Sequence, residues 1–181
     1  MKRYRIYAEQ TKLYFCTNTV VEWQCIFKEE KYFQIVLNSM KHCQEHKGLV
    51  LYGYIIMLNH MHLVVSYKEK CDLSSIMRDF KRHTSKKIAE ELEKDNQRLF
   101  LYVFRHAAEK RRHDIKYKIW QDDFHPEAIF SDKWLHEKLD YYHYNPVRKG
   151  YVERPEYWKY SSARNWILDD DSLIRMNFEA L

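Results

Sequence analysis

A chain of 181 residues with 45% hydrophobic and 31% charged residues suits one globular domain, and three glycines and three prolines leave little for linkers or low-complexity segments. The net charge of +5 favours an acidic partner such as nucleic acid without establishing one. Cys16, Cys25, Cys43 and Cys71 show neither CxxC spacing nor a Cys/His finger pattern, which argues against a structural zinc site and predicts free thiols in a reducing compartment. No apolar stretch approaches the ~20 residues that span a bilayer, and the charged start Met1-Lys2-Arg3-Tyr4-Arg5 has no signal-peptide core behind it. The expectation is a single domain over residues 1–181, soluble and cytoplasmic, with no membrane partner.

Leu13 to Val21 is rich in β-branched and aromatic residues and predicts a strand. Phe33, Val36, Leu37 and Met40 fall at helical spacing within Lys31 to His46, and Gly48 stands where a helix stop belongs. Leu49 to Leu58 predicts a buried strand and Met61 to Tyr67 another, with a turn near Asn59. Asp72 is placed to cap a second helix, whose apolar positions Leu73, Ile76, Met77, Phe80, Ile88 and Leu92 run towards Lys94.

Residues 95 to 116 lose clean periodicity and carry Arg105, Lys110, Arg111, Arg112 and Lys116. A basic connection is expected there, with a short strand or helical turn at Leu99 to Phe104. A fourth strand or extended segment is expected within Tyr117 to Phe130, around Ile119-Trp120-Gln121. Ser131 can cap a third helix through Tyr144, and Pro146 disfavours helix at Asn145. A final short helix can follow Ser161. This order predicts an α+β fold: a ferredoxin-like sandwich with a central antiparallel sheet, helices on one face and a C-terminal helix.

The chemistry concentrates in Asn59-His60-Met61-His62 and in Asp140-Tyr141-Tyr142-His143-Tyr144-Asn145-Pro146. Side chains alternate along a strand, so His60 and His62 share a face and make half of a divalent-metal site. Tyr141 and Asn145 lie one helical turn apart and can face one point, offering a nucleophile and another polar ligand. The plainer alternative for Tyr141 is an aromatic packed on the sheet. Arg78, Lys81, Arg82, Lys86 and Lys87 share a helix; they form either a solvated face or, gathered with Arg105, Arg111 and Arg112, a phosphate-binding strip. Gln121, Asp122, Asp123 and His125 either line a site or make a polar loop.

The segments GYIIMLNHMHLVV, WQDDFHPEAIFSD and LDYYHYNPVRKGYVERPEYWKYSSAR, in this order and separation, resemble the REP-associated tyrosine transposases, single-tyrosine members of the HUH endonuclease superfamily. The resemblance covers roughly residues 10 to 166. It implies that His60 and His62 bind Mg²⁺ or Mn²⁺, that Asn145 is a third ligand and that Tyr141 is the nucleophile, with Tyr144 second. It further implies cleavage of single-stranded DNA beside hairpin (REP-like) elements through a covalent 5′-phosphotyrosine, by a nucleoid-associated monomer or homodimer. Two other readings are a domesticated nucleic-acid-binding module without cleavage activity and a metal-dependent phosphodiesterase without covalent attack.

Overall fold

The computed structural model describes residues 13–110, 115–122, 124 and 126–178. Four strands, β1 (Tyr14–Thr19), β2 (Leu49–Ile56), β3 (His60–Tyr67) and β4 (Glu127–Ala128), form one sheet in the order β2-β3-β1-β4. Every neighbouring pair is antiparallel. Strand alternation divides the side chains between two cores. Tyr14, Cys16, Met61, Leu63 and Val65 face one side, and Phe15, Ile55 and Val64 the other.

The first side is covered by α1 (Glu30–His46) and α2 (Leu73–Lys94). Phe33, Val36, Leu37 and Met40 of α1 meet Ile76, Met77, Phe80 and Leu92 of α2 in one buried cluster. As expected from the sequence, the Asp72 carboxylate caps α2, accepting from the Ser74 and Ser75 amides at 3.3 and 2.9 Å.

Residues 98–109 correct the expectation of a basic connection: they form α3 (Arg98–Glu109), a full 12-residue helix. Its Phe104 is completely buried, and Phe100, Leu101, Val103 and Ala107 pack against the same core. Arg111, Arg112, Asp123 and His125 lie outside the described residues.

The fourth strand falls within the expected Tyr117 to Phe130 segment, but near its end and not around Ile119-Trp120-Gln121. Trp120 makes a single antiparallel bridge to Val20, beyond the end of β1, while Glu127 and Ala128 pair with Phe15 and Tyr14. The Trp120 indole instead turns inward and donates to Thr84 Oγ1 at 2.8 Å.

The opposite side of the sheet carries α4 (Asp132–His143). Ser131 Oγ caps it by accepting from the Trp134 amide, and Leu135, Leu139 and Tyr142 are buried against Phe15, Tyr52, Ile55 and Val64. The helix ends at His143, and after Tyr144 the chain resumes as the short α5 (Asn145–Arg148), with Pro146 in its first turn, where a missing N–H costs nothing. A last helix, α6 (Ala163–Leu168), follows Ser162. Among the described residues no helix is long and apolar enough to cross a membrane.

Candidate active site

His60 and His62 stand on the α4 side of the sheet, their rings 4.9 Å apart between centroids. β1 supplies the support, because Thr17 is the cross-strand partner of His62 and Thr19 of His60. Thr17 Oγ1 lies 2.8 Å from His62 Nδ1, and Asn59 Oδ1 lies 2.7 Å from His60 Nδ1. An amide oxygen only accepts, so the bond to Asn59 places the His60 proton on Nδ1 and leaves the Nε2 lone pair available. Second partners of this kind fix the rings that serve as metal ligands.

Burial, reinforced by Lys149, pushes the His60 imidazole down to about 4. Burial, with help from His60 and Lys138, pushes His62 down to about 3. Both are therefore neutral near pH 7, the form that donates to a metal. His143, buried and 2.8 Å from Ser162 Oγ, is also pushed by burial to about 3. An unfolded chain protonates all three near 6.5, whereas the folded chain does not until the pH nears 4. The unfolded state thus binds the extra protons in this window, and stability falls as pH drops through it. Thermal unfolding is expected at progressively lower temperature between about pH 7 and about pH 4.5; a constant midpoint would show that these imidazoles are not held neutral by the fold.

α4 brings Tyr141 to the same place. Its ring lies 6.4 Å from that of His62, edge to face, and its side chain is half exposed. Tyr142, the next residue, is equally near His62 in ring distance but fully buried and stacked on Phe15, and burial drives its phenol far above the usual tyrosine range. Tyr144 is half exposed and follows the last residue of α4. Burial therefore separates Tyr141 from Tyr142 more sharply than helical phase alone.

Asn145 is tied to Tyr141 by Arg148. The Arg148 guanidinium donates to Asn145 Oδ1 at 2.7 Å and to the Tyr141 carbonyl, and it lies over the Tyr141 ring at 4.9 Å. Among the described residues, no three histidine, cysteine or carboxylate side chains gather as a metal cluster. The chemistry of the donor set still fits a divalent cation: two neutral imidazoles, with the Asn145 amide oxygen on the neighbouring helix retaining a second lone pair.

The basic residues divide. Arg78, Lys81 and Arg82 line an open groove of about 840 Å³ between α2 and residues 115–122 and 124, together with Lys86, Lys116 and Lys118. This groove belongs to the α2 side of the sheet, not to the face bearing the histidines. Arg105 is bound to Tyr117, donating to its hydroxyl at 3.2 Å and lying over its ring, and it does not line the groove. Thr17 and Arg148 do not stand out in the sequence, and Asn59 does so only as a turn residue at the head of its motif. Asn59 opens the first motif and Arg148 follows the second, so both are legible by position, whereas Thr17 requires the strand register.

The sequence profile of the family described as "Transposase IS200 like" matches residues 14–106, just over half of the chain. The chain belongs to the IS200-like transposase family. Such transposases cut and rejoin DNA. The matched stretch includes His60 and His62 and ends before the helix that carries Tyr141. A Haemophilus influenzae protein that bears the name REP-associated tyrosine transposase is 28% identical over 163 residues, covering 90% of this chain and 85% of that one. A solved structure of a REP-associated tyrosine transposase bound to a REP hairpin shares the fold, with a TM-score of 0.67 and 19% identity, covering 100% of this chain and 93% of the other. The central sheet and its helices are thus those of an IS200-like transposase.

Proposed function

We propose that this IS200-like transposase is a single domain that cleaves and rejoins single-stranded DNA beside hairpin elements, with Tyr141 as nucleophile. The observation that carries the reading is the convergence of a half-exposed Tyr141 with the His60/His62 pair on one face of the sheet, within one chain. The names of the related proteins above support a REP-like hairpin as the DNA partner.

In this reading His60, His62 and Asn145 hold Mg²⁺ or Mn²⁺. When bound, the cation draws negative charge from the oxygens of the scissile phosphate. The Tyr141 oxygen forms a bond to phosphorus, the bond from phosphorus to the 3′-oxygen breaks, and the phenol proton ends on the departing 3′-hydroxyl. A 5′-phosphotyrosine results, and attack by a 3′-hydroxyl reverses the step and rejoins the strand. Thr17 and Asn59 keep the imidazole rings in place, while Arg148 holds Tyr141 and Asn145 in register.

Replacing Arg148 by alanine is expected to slow cleavage about 10–100-fold, because the nucleophile and the amide lose their common anchor. Circular dichroism should stay unchanged, since Arg148 is on the surface; single-turnover cleavage at saturating Mn²⁺ checks this. The whole reading is tested by incubating labelled hairpin-containing single-stranded DNA with protein and Mn²⁺ and running a denaturing gel. A protein–DNA adduct supports it, cleavage without an adduct points to a phosphodiesterase, and tight binding without cleavage points to a binding module.

A further inference from the structure

The catalytic face and the basic groove lie on opposite sides of the sheet, and one strand of DNA can use both by passing the end of the sheet. Trp23 stands at that end. Its indole is 60% exposed and lies edge-on to His60 at 6.3 Å between ring centroids, which extends the line Tyr141, His62, His60 by one more ring. The backbone holds it there in an uncommon way: Glu22 and Trp23 both have positive φ, 51° and 53°. The Trp23 carbonyl accepts from Asn59 Nδ2 at 3.3 Å, and the other end of that amide bonds to His60. A large aromatic left in solvent and tied through one amide to an active-site imidazole is poorly explained as a packing residue.

Trp23 also borders a second open groove, of about 540 Å³, which continues past Tyr102 and His106 of α3 and Lys110 just after it to Lys118 and Gln121. The rings of Tyr102 and His106 lie parallel, 4° apart in plane, and Tyr102 is 70% exposed. Lys118, Gln121 and Asp122 border both this groove and the larger one lined by Arg78, Lys81 and Arg82. Exposed aromatic faces interleaved with cations are what single-stranded nucleic acid requires, bases stacking on the rings while phosphates meet the positive charge.

We infer that Trp23 is a base-stacking platform for a nucleotide next to the scissile phosphate, and that the flanking single strand leaves the active site over Trp23 into the groove beside α3. The inference rests on the function proposed above and adds to it a binding subsite and a path. It makes α3, a helix with no role in the proposed chemistry, one wall of the DNA track.

The test uses the full chain carrying Tyr141→Phe, so that bound DNA is not cut. Hairpin oligonucleotides carry 2-aminopurine at one position at a time on either side of the cleavage point, and a dye at the far end of the hairpin reports overall binding. Stacking should quench the probe at least about twofold at one or two adjacent positions on one side only. Trp23→Ala should abolish that quenching and weaken binding about tenfold, while Trp23→Phe should keep most of both. Quenching unchanged in Trp23→Ala, or changed equally at all positions, would overturn the assignment. If the dye shows no hairpin binding even with Trp23 intact, the proposed function itself fails, and the subsite with it. Because Trp23 is exposed, matching circular dichroism spectra can confirm that its variants fold.

Discussion

Tyr141→Phe is expected to abolish the covalent protein–DNA adduct and to lower strand cleavage by more than about a thousandfold, since it removes the oxygen that forms the new bond to phosphorus. The ring, its contact with His62 and its place under Arg148 all remain, so hairpin affinity and thermal stability should barely change. Tyr142→Phe supplies the internal control. Tyr142 is as near to His62 as Tyr141 is, yet it is fully buried and its phenol is held protonated. Cleavage should therefore survive its conversion to phenylalanine within about threefold. Measuring single-turnover cleavage for both variants decides between two adjacent tyrosines that the sequence alone separates only by helical phase. Full loss in Tyr142→Phe with activity kept in Tyr141→Phe would reverse the assignment.

The second large effect is expected at Gly53, which heads the stretch leading to His60. A Cβ at this point of β2 would overlap the Tyr142 hydroxyl and stand 2.7 Å from Leu139 Cδ2. β2 also shifts register against β3 between Leu51 and Gly53, so the strand is already irregular where α4 presses on it. Gly53→Ala should cost about 2–3 kcal/mol of stability through overpacking, which corresponds to roughly 5–10 °C in Tm for a chain of this size. It should also reduce cleavage disproportionately, because the helix that must move away carries Tyr141. The double variant Gly53→Ala with Tyr142→Phe removes the hydroxyl that makes the worst overlap. More than half of the lost Tm is expected to return, a coupling that independent sites would not show. Purely additive losses would mean that α4 does not rest on the bare backbone of Gly53.

Much of this architecture could be read from residue spacing. Period-two alternation put His60 and His62 on one face, and the end of the β2–β3 hairpin placed them at the start of a central strand. Asp72 and Ser131 marked the starts of α2 and α4, and both act as caps. α3 is hard to read from the sequence because its charges mask its pattern. Phe100, Phe104 and Ala107 or Ala108 recur every three or four residues, and this face packs on the core. The fourth strand sits at the end of its expected segment and not at Trp120, which despite its strong β character turns its indole to Thr84 and keeps a single bridge to Val20.

What spacing could not supply is the part that depends on contacts between distant segments. A glycine inside a strand hints at a close approach but cannot name Tyr142 as what approaches. The pairing of Thr17 with His62 follows only from the β1–β3 register. The separation of Arg78, Lys81 and Arg82 from the histidine face needs the sheet itself, since it depends on which side α2 covers. Arg148 could have been found by counting, three residues after Asn145 and seven after Tyr141, where successive turns bring side chains together.

The central claim is that Tyr141 becomes covalently joined to DNA. Mass spectrometry of the protein, digested after reaction with hairpin-containing single-stranded DNA and Mn²⁺, tests it most directly. The predicted result is a 5′-phosphorylated oligonucleotide attached to the peptide at Tyr141, released when a 3′-hydroxyl strand is supplied. Attachment at Tyr144, or complete cleavage with no attached nucleotide on any tyrosine, would contradict it.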